Sequence, residues 1–113
     1  MKIYIAGPIA GDPDYKKKFD AVERGYCPAE DYVKVFNPAS LPVGLLREEY
    51  MTLCLPMLLM SDLVVLLPGW EKSGGAAIEK VLAEYTSKQI YELSARDLAD
   101  IMEEKNDVFV QKR

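Results

Sequence analysis

The chain has 113 residues, of which 50% are hydrophobic and 28% charged, with a formal net charge of −4. This length predicts one domain spanning residues 1–113, with a core that needs neither metal nor disulfides. The absence of histidine excludes histidine acid–base catalysis and, with only two cysteines, a four-ligand zinc site of histidine and cysteine. The acidic balance argues against binding a nucleic-acid polymer, because phosphate neutralisation requires a basic face.

The sequence predicts neither a membrane span nor a signal peptide. The apolar stretch 51–67 is interrupted by Pro56, and the apolar run at the start is broken by Gly7 and Pro8. Two cysteines without a disulfide framework indicate a reducing compartment. We therefore expect a cytoplasmic protein that does not bind membranes.

Strand and helix patterns alternate along the chain. Short apolar runs that end at glycine, proline or polar residues predict four strands, at 2–6, 32–36, 63–67 and 89–92. Helical spacing and capping signals predict helices at 14–25, from residue 47 with a kink near Pro56, at 73–87 and at 94–105. The sequence therefore predicts an α/β fold, a flavodoxin- or Rossmann-like open parallel sheet of four to five strands with helices on both faces.

Ligands of such sheets bind beyond the carboxyl ends of the strands. The segments expected there are 7–11, 37–38 and 68–75. In the first of them, Gly7, Pro8 and Ile9 form a turn whose glycine lets the backbone approach a ligand. A glycine needed only for the turn explains this pattern equally well, and neither a dinucleotide nor a P-loop motif is present.

The third segment combines a capping residue, two glycines and an aromatic. Ser73 stands at the N-cap position of a predicted helix, and Gly74 and Gly75 leave the first amide groups open to an anion. The alternative is that the serine merely caps and the glycines merely pack. Trp70 precedes them and suits stacking on a planar base, or alternatively a lid or an interface.

Glu79 is the carboxylate that the helical wheel singles out. The wheel groups the apolar residues of this helix into one arc, comprising Ala77, Ile78, Val81, Leu82 and Tyr85. Glu79 lies at the flank of that arc with no cation three or four residues away. Its position fits either the mouth of the cleft or a boundary glutamate that reaches water. From pattern alone, Tyr4 fits a core tyrosine and Asp62 fits a capping residue.

Taken together, these residues resemble the nucleoside 2-deoxyribosyltransferase-like superfamily, most closely a small, uncharacterised, phage-associated, DUF4406-like branch. The matching pieces are IYIAGPI at 3–9, NP at 37–38, YMTLCLPMLLMSDLVVLLPGW at 50–70 and SGGAAIE at 73–79. The resemblance extends to about residue 90. It implies the flavodoxin-like sheet already expected from periodicity.

The resemblance also implies roles for individual residues. Glu79 would be the nucleophile on C1′ of deoxyribose, Tyr4 would orient it, and Asp62 would bind and protonate the leaving base. Ser73 stands where the transferases have an aspartate, which favours deoxynucleoside 5′-monophosphates as substrates because a neutral serine tolerates the phosphate dianion. The first loop, Trp70 and the two glycines would line the substrate site.

The implied activity is cleavage or transfer of the N-glycosidic bond of a 2′-deoxynucleoside or its 5′-monophosphate, without metal or organic cofactor. The partner would be this small molecule, and the relatives imply a homo-oligomer, a dimer or tetramer. The alternative is a non-catalytic nucleotide-binding or regulatory module of the same fold. A third hypothesis is an interaction protein with Met51, Leu58 and Leu59 partly at a subunit interface.

Overall fold

A computed structural model describes residues 1–26 and 32–103, within which strands and helices alternate. The strands are β1 (Lys2–Ala6), β2 (Lys34–Phe36), β3 (Leu63–Leu66) and β4 (Gln89–Glu92). The helices are α1 (Tyr15–Tyr26), α2 (Arg47–Met60), α3 (Gly74–Tyr85) and α4 (Ala95–Met102). Single 3₁₀ turns lie at Pro38–Ser40 and Trp70–Lys72.

The four strands form one parallel sheet in the order β2-β1-β3-β4. Tyr4 of β1 lies opposite Phe36 of β2 on one side and Val64 of β3 on the other. The chain order reverses between β1 and β3, and the amide of Leu67 donates to Ala6 O at 2.8 Å where these strands end. The predicted α/β fold is confirmed, and this edge is the switch point of the sheet.

The helices form one layer on each face of the sheet. Alternate residues of β1 and β3 point to opposite faces, so each layer has its own core. The core under α1 and α4 includes Ile3, Ile5, Phe19, Val22, Val65 and Leu98. The core under α2 and α3 includes Tyr4, Ala6, Cys54, Leu58, Val64 and Ala83. The predicted three-layer arrangement is therefore present.

Local signals explain where the helices begin. The hydroxyl of Ser73 accepts the amide of Ala76 at 3.3 Å at the start of α3, and Ser94 accepts the amide of Asp97 at 3.0 Å at the start of α4. The predicted end of the last helix near residue 105 lies outside the described residues. None of the helices described has both the length and the apolar composition needed to cross a membrane.

The predicted core face of α3 is wrong. Its buried residues are Ala76, Glu79 and Ala83. Three residues of the apolar arc are exposed instead: Ile78 by 56%, Val81 by 64% and Tyr85 by 86%. The helix thus packs on the sheet mainly through two alanines and a carboxylate, with Leu82 partly buried against the same core, whereas Ile78, Val81 and Tyr85 face outward.

Candidate active site

The centre of the candidate site is a hydrogen bond between β1 and α3. The hydroxyl of Tyr4 donates to Oε2 of Glu79 at 2.5 Å. Tyr4 is fully buried and Glu79 is 6% exposed. The wheel allowed Glu79 to be a boundary glutamate that reaches water. Glu79 instead lies inside the layer formed by α2 and α3. These two predicted site residues are brought together.

Burial dominates the electrostatics of the pair. It raises the pKa of Glu79 to about 7, although the hydrogen bond from Tyr4 acts in the opposite direction. Burial and the neighbouring carboxylate both raise the pKa of Tyr4. Tyr4 is therefore a permanent hydrogen-bond donor, whereas Glu79 changes between its neutral and ionised forms near neutral pH.

Cys54 of α2 is a third member of this cluster, which the sequence did not predict. Its thiol lies beside the Tyr4 hydroxyl and interacts with it. Cys54 is 4% exposed, and burial raises the pKa of its thiol. The thiol is therefore neutral and unreactive at neutral pH. Its apolar surroundings resemble those of any buried cysteine, so the sequence contained no signal for this contact.

One oxygen of Glu79 remains available to a ligand. Tyr4 engages Oε2, and within residues 1–26 and 32–103 no hydrogen bond to Oε1 is found. Among the described residues, no side-chain oxygen is both fully buried and without a hydrogen-bond partner. Oε1 is therefore not completely enclosed, although Glu79 is only 6% exposed, and it is the oxygen of this carboxylate that no described residue engages.

The start of α3 offers backbone amides to an anion. Ser73 O accepts the amide of Ala77 at 2.9 Å, and the Ser73 hydroxyl caps the helix. Gly74 and Gly75 form the first turn of α3, so their amides have no hydrogen-bond acceptor within the helix. A Cβ at either glycine would contact nothing within 4 Å. Packing therefore does not require these glycines, whereas Ser73 does cap the helix, as the alternative expected.

The first loop, residues 7–9, lies at the carboxyl edge of the sheet, where the ends of β1 and β3 pack closely together. A Cβ on Gly7 would lie 2.8 Å from the Cβ of Leu67, so glycine is required where the ends of β1 and β3 approach each other. Pro8 lies next to Gly69, and Ile9 packs on the core under α1 and α4. This loop borders the candidate site, and the close approach accounts for its glycine.

Trp70 is fixed by contacts on several sides. Its indole Nε1 donates to Glu92 Oε1 at 3.0 Å, and the ring packs against the core under α2 and α3. The Lys80 ammonium lies 5.0 Å from the ring centroid. A base that stacks on this face must displace the ammonium.

The structure does not bring Asp62 to the other predicted catalytic residues. Asp62 precedes β3, so it lies at the amino edge of the sheet, where its Oδ2 accepts the amide of Lys2 at 2.8 Å. This hydrogen bond lowers the pKa of Asp62, which is exposed. An ionised carboxylate at the edge opposite the switch point is unsuited to protonating a base there, and the assignment of Asp62 as the acid is wrong.

Asn37, in the second segment expected at the ligand edge, has a structural role. Its amide nitrogen donates to Asp20 and to Glu23, each at 2.8 Å, and its oxygen caps the following 3₁₀ turn through the amide of Ala39. These bonds tie the end of β2 to α1. Asn37 is buried and its polar groups are used within the fold.

Two cavities in the described part of the chain lie away from the pair. One of about 520 Å³ borders α1 and includes Lys16, Arg24 and Met102 in its lining. The other, about 360 Å³, lies at the amino ends of the strands and includes Tyr26 and Tyr91. Within residues 1–26 and 32–103, no three acidic, cysteine or histidine side chains are grouped to hold a metal ion.

Comparison with known proteins identifies a family without a described activity. The model of the family described as Domain of unknown function (DUF4406) matches residues 1–92. Among curated proteins and among solved structures, no match is found. The chain belongs to the DUF4406 family, whose model covers all four strands and the whole candidate site.

Proposed function

We propose that this DUF4406 protein cleaves or transfers the N-glycosidic bond of 2′-deoxynucleosides or their 5′-monophosphates, with Glu79 as nucleophile. One observation carries the proposal: the buried Glu79 carboxylate accepts a hydrogen bond from Tyr4 through one oxygen only. Loss of a base from a sugar passes through an oxocarbenium-like state, which a carboxylate next to the anomeric carbon stabilises or captures. A hydroxyl donor on one oxygen orients the other for this attack.

The proposed reaction has two steps. Oε1 of Glu79 bonds to C1′ as the C1′–N bond breaks, and the electron pair of that bond leaves with the base. The base takes its proton from water, since no side chain is assigned this role. Water then hydrolyses the glycosyl ester, or a second base accepts the sugar, and Glu79 is released. The first step needs ionised Glu79. Because the pKa of Glu79 is about 7, about half of the molecules carry the ionised form at neutral pH.

The start of α3 supports a phosphorylated substrate. The unpaired amides of Gly74 and Gly75 and the positive end of the helix dipole attract an anion. Ser73 adds a neutral hydroxyl, which does not repel a phosphate dianion as a carboxylate would. We therefore favour a 5′-monophosphate over an unphosphorylated nucleoside.

A nucleotide-binding module without catalysis is the second candidate. The low exposure of Glu79, 6%, favours it, because a nucleophile must reach its substrate. Such a module would use the amides at the start of α3 in the same way. The two candidates differ in whether the base is released.

We also propose a cytoplasmic location. Cys54 is a free, buried thiol. A reducing compartment keeps such thiols free.

The deciding experiment is a turnover assay followed by mass spectrometry. The purified chain is incubated with the common deoxynucleosides and their 5′-monophosphates, with and without a second free base. Release of base from monophosphates supports a hydrolase, and exchange of bases supports a transferase. Binding without release of any base would contradict the catalytic proposal and leave the binding module.

Two variants serve as matched controls in this assay. Tyr4→Phe removes the hydroxyl that orients Glu79 and should reduce turnover strongly. Asp62→Asn alters an exposed carboxylate at the opposite edge and should leave turnover unchanged. A large loss of turnover in Asp62→Asn would contradict the location of the site.

A further inference from the structure

The helices α2 and α3 begin side by side at the carboxyl edge of the sheet. Each helix leads from the carboxyl end of one strand to the amino end of the next, so both run antiparallel to the strands. They lie on the same face of the sheet and pack against each other. A Cβ on Gly75 would meet nothing within 4 Å, so the space beside the start of α3 is open. We call this open space, between the starts of the two helices, the entrance of the candidate site.

The face of α2 that packs on the sheet can be followed to the start of the helix. Its buried residues are Cys54 and Leu58. Leu58 lies in the core at 0% exposure, so its predicted place at an interface is wrong. Seven residues make almost two complete turns, so Arg47 lies only about 20° from Cys54 on a helical wheel. Arg47 is therefore the first residue of the inward face, and it is the one cation of α2.

Arg47 lies level with the start of α3. The Cys54 thiol and the Glu79 carboxylate both lie beside the Tyr4 hydroxyl, so these two side chains lie at the same depth below the entrance. Arg47 precedes Cys54 by seven residues, or about 10 Å along the axis of α2. Ser73 precedes Glu79 by six residues, or about 9 Å along the axis of α3. Arg47 and the capping serine of α3 therefore stand at the same height on the two sides of the entrance.

The guanidinium of Arg47 is available to a ligand. Arg47 is exposed, and within residues 1–26 and 32–103 its side chain has neither an ion pair nor a hydrogen bond. The acids that follow it, Glu48 and Glu49, are turned about 100° and 200° away from it on the helix. Glu49 uses its Oε1 to accept the amide of Leu46 at 2.7 Å. No described acid therefore neutralises Arg47.

We propose that Arg47 is a substrate-binding residue, which pairs with the phosphate of the substrate and gives the site its preference for 5′-monophosphates. A phosphate on the amides of Gly74 and Gly75 lies across the entrance from Arg47, whose planar guanidinium can donate to two phosphate oxygens. Ionised Glu79 carries a negative charge one helical turn below Gly75, so a dianion needs a cation at the entrance to offset the repulsion. This role of Arg47 rests on the proposed function, because it concerns the part of the same substrate that does not react.

Titration calorimetry tests this role through the affinity for phosphorylated and unphosphorylated ligands. Each common 2′-deoxynucleoside 5′-monophosphate is compared with its nucleoside, in the Glu79→Gln background so that the ligand is not consumed. The chain with Arg47 should bind at least one monophosphate more tightly than its nucleoside. Arg47→Gln should weaken binding of that monophosphate about 10- to 100-fold, as expected for loss of a hydrogen-bonded charge pair. Its affinity for the nucleoside should not change.

Three further variants separate this role from a structural one. Arg47→Lys keeps the charge without the planar fork and should restore part of the lost affinity. Arg24→Gln removes an exposed arginine in the last turn of α1, on the opposite face of the sheet, and should change neither affinity. Lys72→Gln removes an exposed cation next to Ser73. If Lys72→Gln abolished the preference for monophosphates and Arg47→Gln did not, the assignment of Arg47 would be overturned.

Base release is measured separately in the chain that retains Glu79, so the role of Arg47 and the proposed reaction fail in different ways. Monophosphate binding that depends on Arg47, without release of any base, would contradict the reaction and support the role of Arg47. Base release together with an Arg47→Gln variant that keeps its preference for monophosphates would overturn the role of Arg47 and leave the reaction. An equal loss of affinity for nucleosides and monophosphates, or no binding of any monophosphate, would also overturn it.

Discussion

Replacing Glu79 by glutamine tests whether this carboxyl is buried at a cost to stability. Burial raises its pKa from 4.5 to about 7. Between these pH values the folded chain retains a proton that the unfolded chain has lost. The contribution of this group to stability is therefore complete below about pH 4.5. The free energy of unfolding falls as the pH rises through the folded pKa, and the loss levels off above about pH 8.

The magnitude follows from the difference in pKa. A change of about 2.5 units at ~1.36 kcal/mol per unit gives about 3 kcal/mol. Glu79→Gln keeps the shape and still accepts the hydrogen bond of Tyr4, but it does not ionise. We expect the variant to be more stable than the parent by up to about 3 kcal/mol at pH 8, or roughly 10 °C in Tm. Near pH 4.5 the two proteins should differ little.

Urea unfolding followed by circular dichroism at about pH 5 and pH 8 measures this difference. Glu84→Gln is the matched control, because Glu84 is an exposed glutamate of the same helix. Its substitution should change the free energy of unfolding by at most about 0.5 kcal/mol. A Glu79→Gln variant that is less stable than the parent at pH 8, or equally shifted at both pH values, would refute the reasoning.

Two further predictions concern Gly7, where β1 and β3 end close together, and the hydroxyl of Tyr4. Gly7→Ala places a Cβ 2.8 Å from that of Leu67 and should destabilise the fold by about 1–3 kcal/mol in urea unfolding. Gly74→Ala, whose Cβ meets nothing within 4 Å, should be neutral, and a loss as large as that of Gly7→Ala would contradict the packing argument. Tyr4→Phe removes the hydrogen bond that lowers the pKa of Glu79, so this pKa should rise above about 7 in a carboxyl-carbon NMR titration. An unchanged or lower pKa would show that the bond does not stabilise the carboxylate.

The sequence was sufficient to predict the sheet and its layers. Short apolar runs predicted β1 and β4 with the bounds that the structure has, and Ser73 correctly marked the start of α3. β2 is shorter than predicted and begins at Lys34. The end of a strand depends on which partner backbone is in reach, and the pattern of one segment does not contain that information.

The orientation of α3 could not be predicted from hydrophobicity. A helical wheel assigns the larger apolar residues to the core, whereas this helix turns Ala76 and Glu79 inward. Close packing on the sheet needs small side chains, and the Tyr4 hydroxyl provides a partner for the carboxylate. The packing surface is formed by several strands of the sheet, and the hydroxyl belongs to Tyr4 of β1, which is 75 residues away from Glu79 in the sequence.

The error at Asp62 was avoidable from topology. A residue that precedes a strand lies at the amino edge of a parallel sheet, whereas ligands bind at the carboxyl edge. The resemblance assigned Asp62 to the leaving base despite this geometry. At its carboxyl end, β3 is followed by Leu67, Pro68 and Gly69, none of which has a carboxyl side chain that could protonate a base.

The rate of base release by Glu79→Gln, compared with the unmodified chain, tests the central claim most directly. The comparison uses whichever deoxynucleoside or 5′-monophosphate the unmodified chain cleaves best, at about pH 8, where Glu79 is ionised. Because the variant is expected to be the more stable protein there, lost activity cannot be ascribed to unfolding. We predict a loss of at least about a thousandfold, as for removal of a covalent nucleophile. Equal rates in the two proteins would contradict the assignment of Glu79 as the nucleophile.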